Sequence, residues 1–174
     1  MKLAKLAAWD QRFFIRVFQR FASQQVCRAA FWLSKTADGP FYLLVAVVLY
    51  ASQPAGYLSF IQLLALGFAI ELPLYLLLKN AVKRLRPADL LANDIQSYII
   101  PSDKFSLPSG HTAGAFVLTT TVAFNYPQYL PLVLPWALGV GLSRVLLGVH
   151  FPCDILAGMV LGVVSVCCAM FLFF

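Results

Sequence analysis

Three short segments of this chain carry the residue types that chemistry on a phosphate group requires. The first is Lys79-Asn80-Ala81-Val82-Lys83-Arg84-Leu85-Arg86-Pro87. The second is Pro108-Ser109-Gly110-His111, and the third is Ser143-Arg144 followed by His150 and Asp154. A phosphate monoester or diphosphate carries about two negative charges, so a site for it needs several cations and directed N–H donors. Lys79 and Arg86 can supply charge, and Arg144 a planar fork that grips two oxygens at once. Ser109 is placed to cap the helix that follows, with first-turn amides aimed at an anion, and Gly110 lets a ligand approach the backbone. Pro152 suits the first turn of a helix, which sets His150 at its start and Asp154 within its first turn. Asp154 can then accept a hydrogen bond from one ring nitrogen of His150 and leave the other free as a nucleophile. His111 can protonate a leaving oxygen and later activate a water.

Each piece also has a plainer reading. Lys79, Lys83, Arg84 and Arg86 make an ordinary basic loop beside lipid headgroups, Arg144 can snorkel, and a lone histidine at a helix start is commonly structural. A protein that binds or transports an anionic lipid without cleaving it would need only the cations. The His150–Asp154 pairing and the second histidine argue against that alternative. Arg84 stands outside the pattern, and its replacement by alanine is expected to cost little. His111, His150, Cys153 and Asp154 match no zinc-ligand spacing, and the neighbouring cations would repel a metal, so no metal or cofactor is expected.

The composition fixes the setting. Of 174 residues 61% are hydrophobic and 11% charged, with a mean hydropathy of +0.81. Soluble domains carry roughly a quarter charged residues, so this chain is read as an all-α, integral-membrane helical bundle. The net charge of +6 then suits anionic headgroups or an anionic substrate rather than nucleic acid. The cysteines (Cys27, Cys153, Cys167, Cys168) show no CxxC spacing and read as small hydrophobes.

Residues 8–22 interleave aromatics with Arg12, Arg16 and Arg20, which predicts an amphipathic helix lying in the headgroup region. A second helical stretch, 25–35, leads to a turn at Ala37-Asp38-Gly39-Pro40. Residues 1–38 thus form a basic interfacial segment and 39–174 the membrane core. About five spans are expected: 40–52, with a start as early as Ala29–Leu33, then 57–78, 110–125, 129–148 and 152–174. Counting crossings puts the loop 79–108 and the turn near 150 on one face. The opposite loops, 53–56 and 125–128, carry no charge. The chemistry is concentrated at one end of the bundle.

In order and spacing the three segments resemble the type 2 phosphatidic acid phosphatase superfamily. Its pattern is Lys, six residues, Arg-Pro; Pro-Ser-Gly-His; and Ser-Arg, five residues, His, three residues, Asp. Every position is present, from Lys79, Arg86 and Pro87 through Pro108–His111 to Ser143, Arg144, His150 and Asp154. The resemblance implies metal-independent hydrolysis of a phosphate ester or anhydride. His150 would form a phosphohistidine with Asp154 orienting it, and His111 would act as general acid and then base. Lys79, Arg86, Ser109, Gly110 and Arg144 would hold the phosphoryl oxygens. Undecaprenyl diphosphate, phosphatidylglycerophosphate and phosphatidic acid are candidate substrates, and the compact architecture leans to an isoprenoid diphosphate.

The resemblance implies a bacterial plasma membrane. Seven Lys and Arg among residues 1–38 would hold the N-terminus and the active face in the cytoplasm. Relatives acting on undecaprenyl diphosphate work on the outer face, so both orientations stand, as does any oligomeric state. Glu71, about 12 Å of helix rise before Lys79, is expected to face the bundle interior as a structural hydrogen-bonding group rather than a substrate or proton group. Residues 88–107 are long enough for a lid, with Tyr98, Ile99, Ile100 and Phe105 set either to touch a lipid chain or to anchor the loop.

Overall fold

The computed structural model describes residues 2–92, 95–101 and 103–173; Met1, Asn93, Asp94, Ser102 and Phe174 lie outside the described residues. Among the described residues the regular structure is helical, with one isolated antiparallel bridge between Leu85 and Phe105. The helices are α1 (Lys2–Phe21), α2 (Gln24–Lys35), α3 (Gly39–Ser52), α4 (Tyr57–Val82), the single turn α5 (Pro87–Leu90), α6 (Gly110–Asn125), α7 (Leu130–Leu146) and α8 (Pro152–Phe173). Three helical stretches are long and apolar enough to cross a membrane: Tyr57–Val82, Pro127–Leu146 and Pro152–Phe173.

The boundaries at Gly110, Asn125 and Pro152 fall where the sequence places them. Two others differ. α3 does not begin within Ala29–Leu33, because the chain turns at Thr36–Asp38, where the Thr36 hydroxyl accepts a hydrogen bond from the Trp136 indole at 2.8 Å. With 14 residues α3 reaches about 21 Å, short of a full hydrocarbon core. α4 instead continues through Pro73 to Val82, which puts Lys79 on its last turn with its side chain buried.

α6 is the central helix, packed by α4, α7 and α8 and buried along most of its length. α8 approaches it through Gly158 and Gly162. A methyl at Gly158 would lie 2.6 Å from the Ser109 carbonyl, and at Gly162 2.8 Å from the Phe116 Cβ. Small residues four apart let two helix backbones meet in this way. The contact matters for the site because it sets the start of α8 against Ser109, whose amide donates to the Asp154 carbonyl at 3.0 Å.

α1 is fastened to the same end. Phe14 is fully buried and meets Phe151 edge-on at 5.3 Å, with Val145 and Ile155 around them. Burying one such ring contributes about 1.5–3 kcal/mol. Trp9, Phe13 and Phe21 remain exposed beside Arg12, Arg16 and Arg20.

Candidate active site

Four parts of the chain converge at this end: the last turn of α4, segment 83–109, the start of α6, and the turn from α7 into α8. They bring together Lys79, Arg86 and Arg144, all at most 5% exposed. Three cations buried so close to one another need anions, and the structure supplies one. Asp103 takes a 2.6 Å ion pair from Lys79 on one carboxylate oxygen and pairs with Arg86 through the other. The Tyr75 hydroxyl donates to the same carboxylate at 3.0 Å. Burial pushes the Asp103 carboxyl up, but the hydrogen bonds and charges of Lys79 and Arg86 outweigh it and bring its pKa down to about 2.

Arg86 also donates from Nη1 to the Val149 carbonyl at 2.7 Å, which ties segment 83–109 to the His150 turn. The same nitrogen lies 3.4 Å from His150 Nε2. Arg144 gives one hydrogen bond, from Nη1 to the Ser34 hydroxyl at 2.6 Å, while its buried Nε has no partner among the described residues. That guanidinium retains a donor for a ligand.

His150 is 2% exposed. Burial, with Arg144 and Arg86 beside it, holds its imidazole well below the usual histidine range, so the ring stays neutral at pH 7 and keeps a lone pair. The orienting bond expected from Asp154 is open. His150 Nδ1 stands 3.7 Å from Asp154 Oδ2 and has no hydrogen-bond partner among the described residues. Asp154 is held by other donors, accepting from the Phe151 amide at 2.7 Å and from Arg84 Nη1 at 2.8 Å. Catalytic hydrogen bonds are often long before substrate binds and close with it.

Arg84 therefore is no idle loop cation, contrary to the sequence reading. Its fork joins Asp154 to Asp10, the second pair at 2.6 Å, and its plane lies over the Phe151 ring at 4.3 Å. Asp10 in turn accepts from the Cys153 amide at 3.0 Å. Burial works against the Arg84 charge, but Asp154 and Asp10 more than offset that and hold its pKa above the ordinary value.

His111, across the site, has its Nε2 2.9 Å from Asp38 Oδ1, and the other Asp38 oxygen pairs with Lys35 at 2.9 Å. Burial raises the Asp38 carboxyl, and Lys35 with His111 pulls it below the usual range. The ring borders two cavities. One, about 330 Å³, is lined by Arg144, Ser34, Lys35 and Ile99. The other, about 410 Å³, lies between α3, α4 and α6.

Two expected phosphate ligands have further neighbours that the sequence does not show. Ser109 sits at the N-cap position of α6, but its hydroxyl accepts from Thr112 Oγ1 at 2.9 Å and does not cap the helix, and its amide serves Asp154. Gly110 lines the cavity of about 410 Å³ beside the Tyr75 ring, which lies 3.0 Å from where a Cβ would be. Asp10, Ser34, Asp38, Tyr75 and Asp103 were not legible as site residues. The loop question divides, for Ile99 packs with Ala30, Leu147 and Val149 and anchors the segment, while Ile100 is 97% exposed.

The model of the PAP2 superfamily matches residues 56–174, the stretch that holds all three segments. The chain belongs to the PAP2 superfamily. Lipid A 1-phosphatase of Rhizobium johnstonii is 34% identical over 140 residues, covering 78% of this chain and 52% of that protein. Phosphatidylglycerophosphatase B of Bacillus subtilis is 32% identical over 111 residues, covering 58% and 51%. The chain spans about half the length of the curated relatives it matches. The crystal structure of LpxE from Aquifex aeolicus superposes with a TM-score of 0.79 at 22% identity, over 90% of this chain and 92% of that one, and so shares the fold. In this PAP2 chain Asp10, Ser34 and Asp38 precede the stretch that the family model matches.

Proposed function

We propose that this integral membrane protein is a phosphatase that hydrolyses a lipid or isoprenoid phosphate or diphosphate through a phosphohistidine on His150. The observation that carries this reading is a buried imidazole, kept neutral by that burial and by the charges of Arg144, Arg86 and Lys79, whose Nε2 lies 3.4 Å from Arg86 Nη1, with a second histidine across the site. His150 Nε2 attacks phosphorus, the bond from phosphorus to the lipid oxygen breaks, and that oxygen takes a proton from His111. Asp38 holds one nitrogen of His111, which leaves the other for the substrate. Water then gives a proton to His111 and its oxygen to phosphorus. The P–N bond breaks, returning neutral His150 and inorganic phosphate. The cations stabilise the charge on the transferring oxygens, a role that needs no metal.

The five apolar helices α3, α4, α6, α7 and α8 are read as the spans, with α1 and α2 at headgroup level. The uncharged loops at the far end and the exposed aromatics and arginines of α1 support this arrangement. The bacterial relatives favour a bacterial plasma membrane.

Inorganic phosphate release by the detergent-purified protein in EDTA, from undecaprenyl diphosphate, phosphatidylglycerophosphate and phosphatidic acid, tests the reading. EDTA-resistant release is the expected outcome. Retention of each lipid without release, by a folded protein, would favour the binding or transport alternative.

A phosphate entering the site must displace the Asp103 carboxylate from Lys79 and Arg86. Asp103→Asn removes the competing charge and should tighten competitive inhibition by inorganic phosphate by roughly three- to tenfold. An unchanged inhibition constant would mean that phosphate does not use that pair of cations.

A further inference from the structure

The cavity between α3, α4 and α6 contains a carboxyl group that the phosphatase reaction does not use. Glu71 lines it, 2% exposed, and its carboxyl group takes part in none of the side-chain hydrogen bonds or ion pairs found among the described residues. The structural hydrogen bond expected for this residue is therefore missing. Across the cavity Tyr42, 8% exposed, has a buried hydroxyl that also lacks a partner. Two unpaired polar groups on one apolar slot are costly unless a ligand satisfies them.

The slot is built for them. Tyr42 packs against Gly114, where a Cβ would lie 2.9 Å from its hydroxyl, so the glycine is what allows the ring to stand there. Tyr75, one helical turn above Glu71, stands beside Gly110 in the same way and reaches Asp103 beside the cations. His111 and Asp38 form the upper wall, and the exposed Gly39 and Leu72 form a mouth between α3 and α4 on the membrane side.

We propose that this slot holds the alcohol part of the substrate and that Glu71 and Tyr42 bind a free hydroxyl of that alcohol. The inference rests on the phosphatase reading, since His111 protonates the leaving oxygen and the leaving alcohol must extend from it. A hydroxyl both donates and accepts, so it can serve a carboxyl group and a phenol together. An amide N–H would satisfy only Glu71. A second phosphate would find Asp38 at the edge of the slot and no lysine or arginine among the residues that line it, which favours hydroxyl-bearing glycerol or sugar phosphates over the isoprenoid diphosphates that the sequence reading leaned towards.

The test uses two substrates that differ by one group: lauroyl lysophosphatidic acid and its 2-deoxy analogue, the lauroyl ester of propanediol phosphate. The purified protein should show a kcat/KM ratio of about tenfold or more in favour of the hydroxyl, as expected when buried polar groups are left unpaired by the analogue. In Glu71→Leu the ratio should fall to within about twofold, in Glu71→Gln it should be partly kept, and in Tyr42→Phe it should be reduced. An equal ratio in wild type and Glu71→Leu overturns the proposal. If the wild type releases phosphate from neither compound, thermal stabilisation by the two alcohols decides the subsite separately, and the phosphatase reading itself fails only if undecaprenyl diphosphate, phosphatidylglycerophosphate and phosphatidic acid also release none. Monolauroylglycerol should then raise Tm more than 3-hydroxypropyl laurate, with the difference lost in Glu71→Leu; equal rises in wild type overturn the subsite.

Discussion

Replacing His150 by alanine should lower phosphate release by at least about a thousandfold, with residual turnover near the uncatalysed background. The expectation follows from position rather than residue type alone. His150 Nε2 lies 3.4 Å from Arg86 Nη1, and the charges of Arg144 and Lys79 act on the same buried ring. His111, with Asp38 2.9 Å from its Nε2, is assigned to the leaving-group side, where its free nitrogen serves as acid and base rather than as nucleophile. The cations survive the substitution, so inorganic phosphate should still bind His150→Ala. Phosphate-dependent thermal stabilisation checks that the variant is folded and that the loss is chemical. Turnover above about a tenth of wild type would remove His150 from the mechanism.

Arg84→Ala carries the second large effect, and it reverses what the sequence suggested. Arg84 neutralises two carboxylates that are almost completely buried, Asp10 at 1% exposure and Asp154 at 0%. Removing one partner of a buried ion pair costs about 3–5 kcal/mol, because the orphaned charge has no water to return to. Asp154 would also lose the contact that fixes it beside His150. The variant should therefore have a clearly lower Tm and a kcat reduced by roughly ten- to a hundredfold, with KM changed much less because Arg84 holds no phosphate. Arg84→Lys keeps the charge but not the fork and should fall between the two. Adding Asp10→Asn to Arg84→Ala should recover part of the lost stability, since one orphaned charge is then gone. Wild-type Tm and kcat in Arg84→Ala would contradict the role assigned to this bridge.

The contrast between these two residues shows what a sequence can carry. Spacing marks groups that are close along the chain or repeat a pattern, so His150, Asp154, Arg144 and the Lys79–Arg86 pair were legible. Pro152 and Gly110 marked helix starts for the same local reason. Asp10 and Ser34 enter through long-range packing of α1 and α2, and Asp38 through the turn that leads into α3, and nothing local in residues 1–38 points towards Arg84, Arg144 or His111. Asp103 sits in a polar segment where any acid looks solvated, and only the folded loop brings it between two buried cations. Ser109 stands at the N-cap position expected of it, but the hydrogen bond that its hydroxyl accepts from Thr112 is a contact that spacing does not show. Gly158 and Gly162 were the missed signal that sequence could have supplied: small residues four apart in an apolar helix mark a close helix contact, and here that contact seats Asp154 against Ser109.

The covalent intermediate is the central claim, and its capture is the most direct measurement. The purified protein would be mixed with a lipid phosphate that it turns over, stopped in alkali within a single turnover, digested and analysed by mass spectrometry. A phosphoryl group on the peptide containing His150, lost on brief acid treatment and absent from His150→Ala, is the predicted result. Phosphate release proceeding with that peptide unmodified and the label on another residue, or with His150→Ala still active, would contradict it.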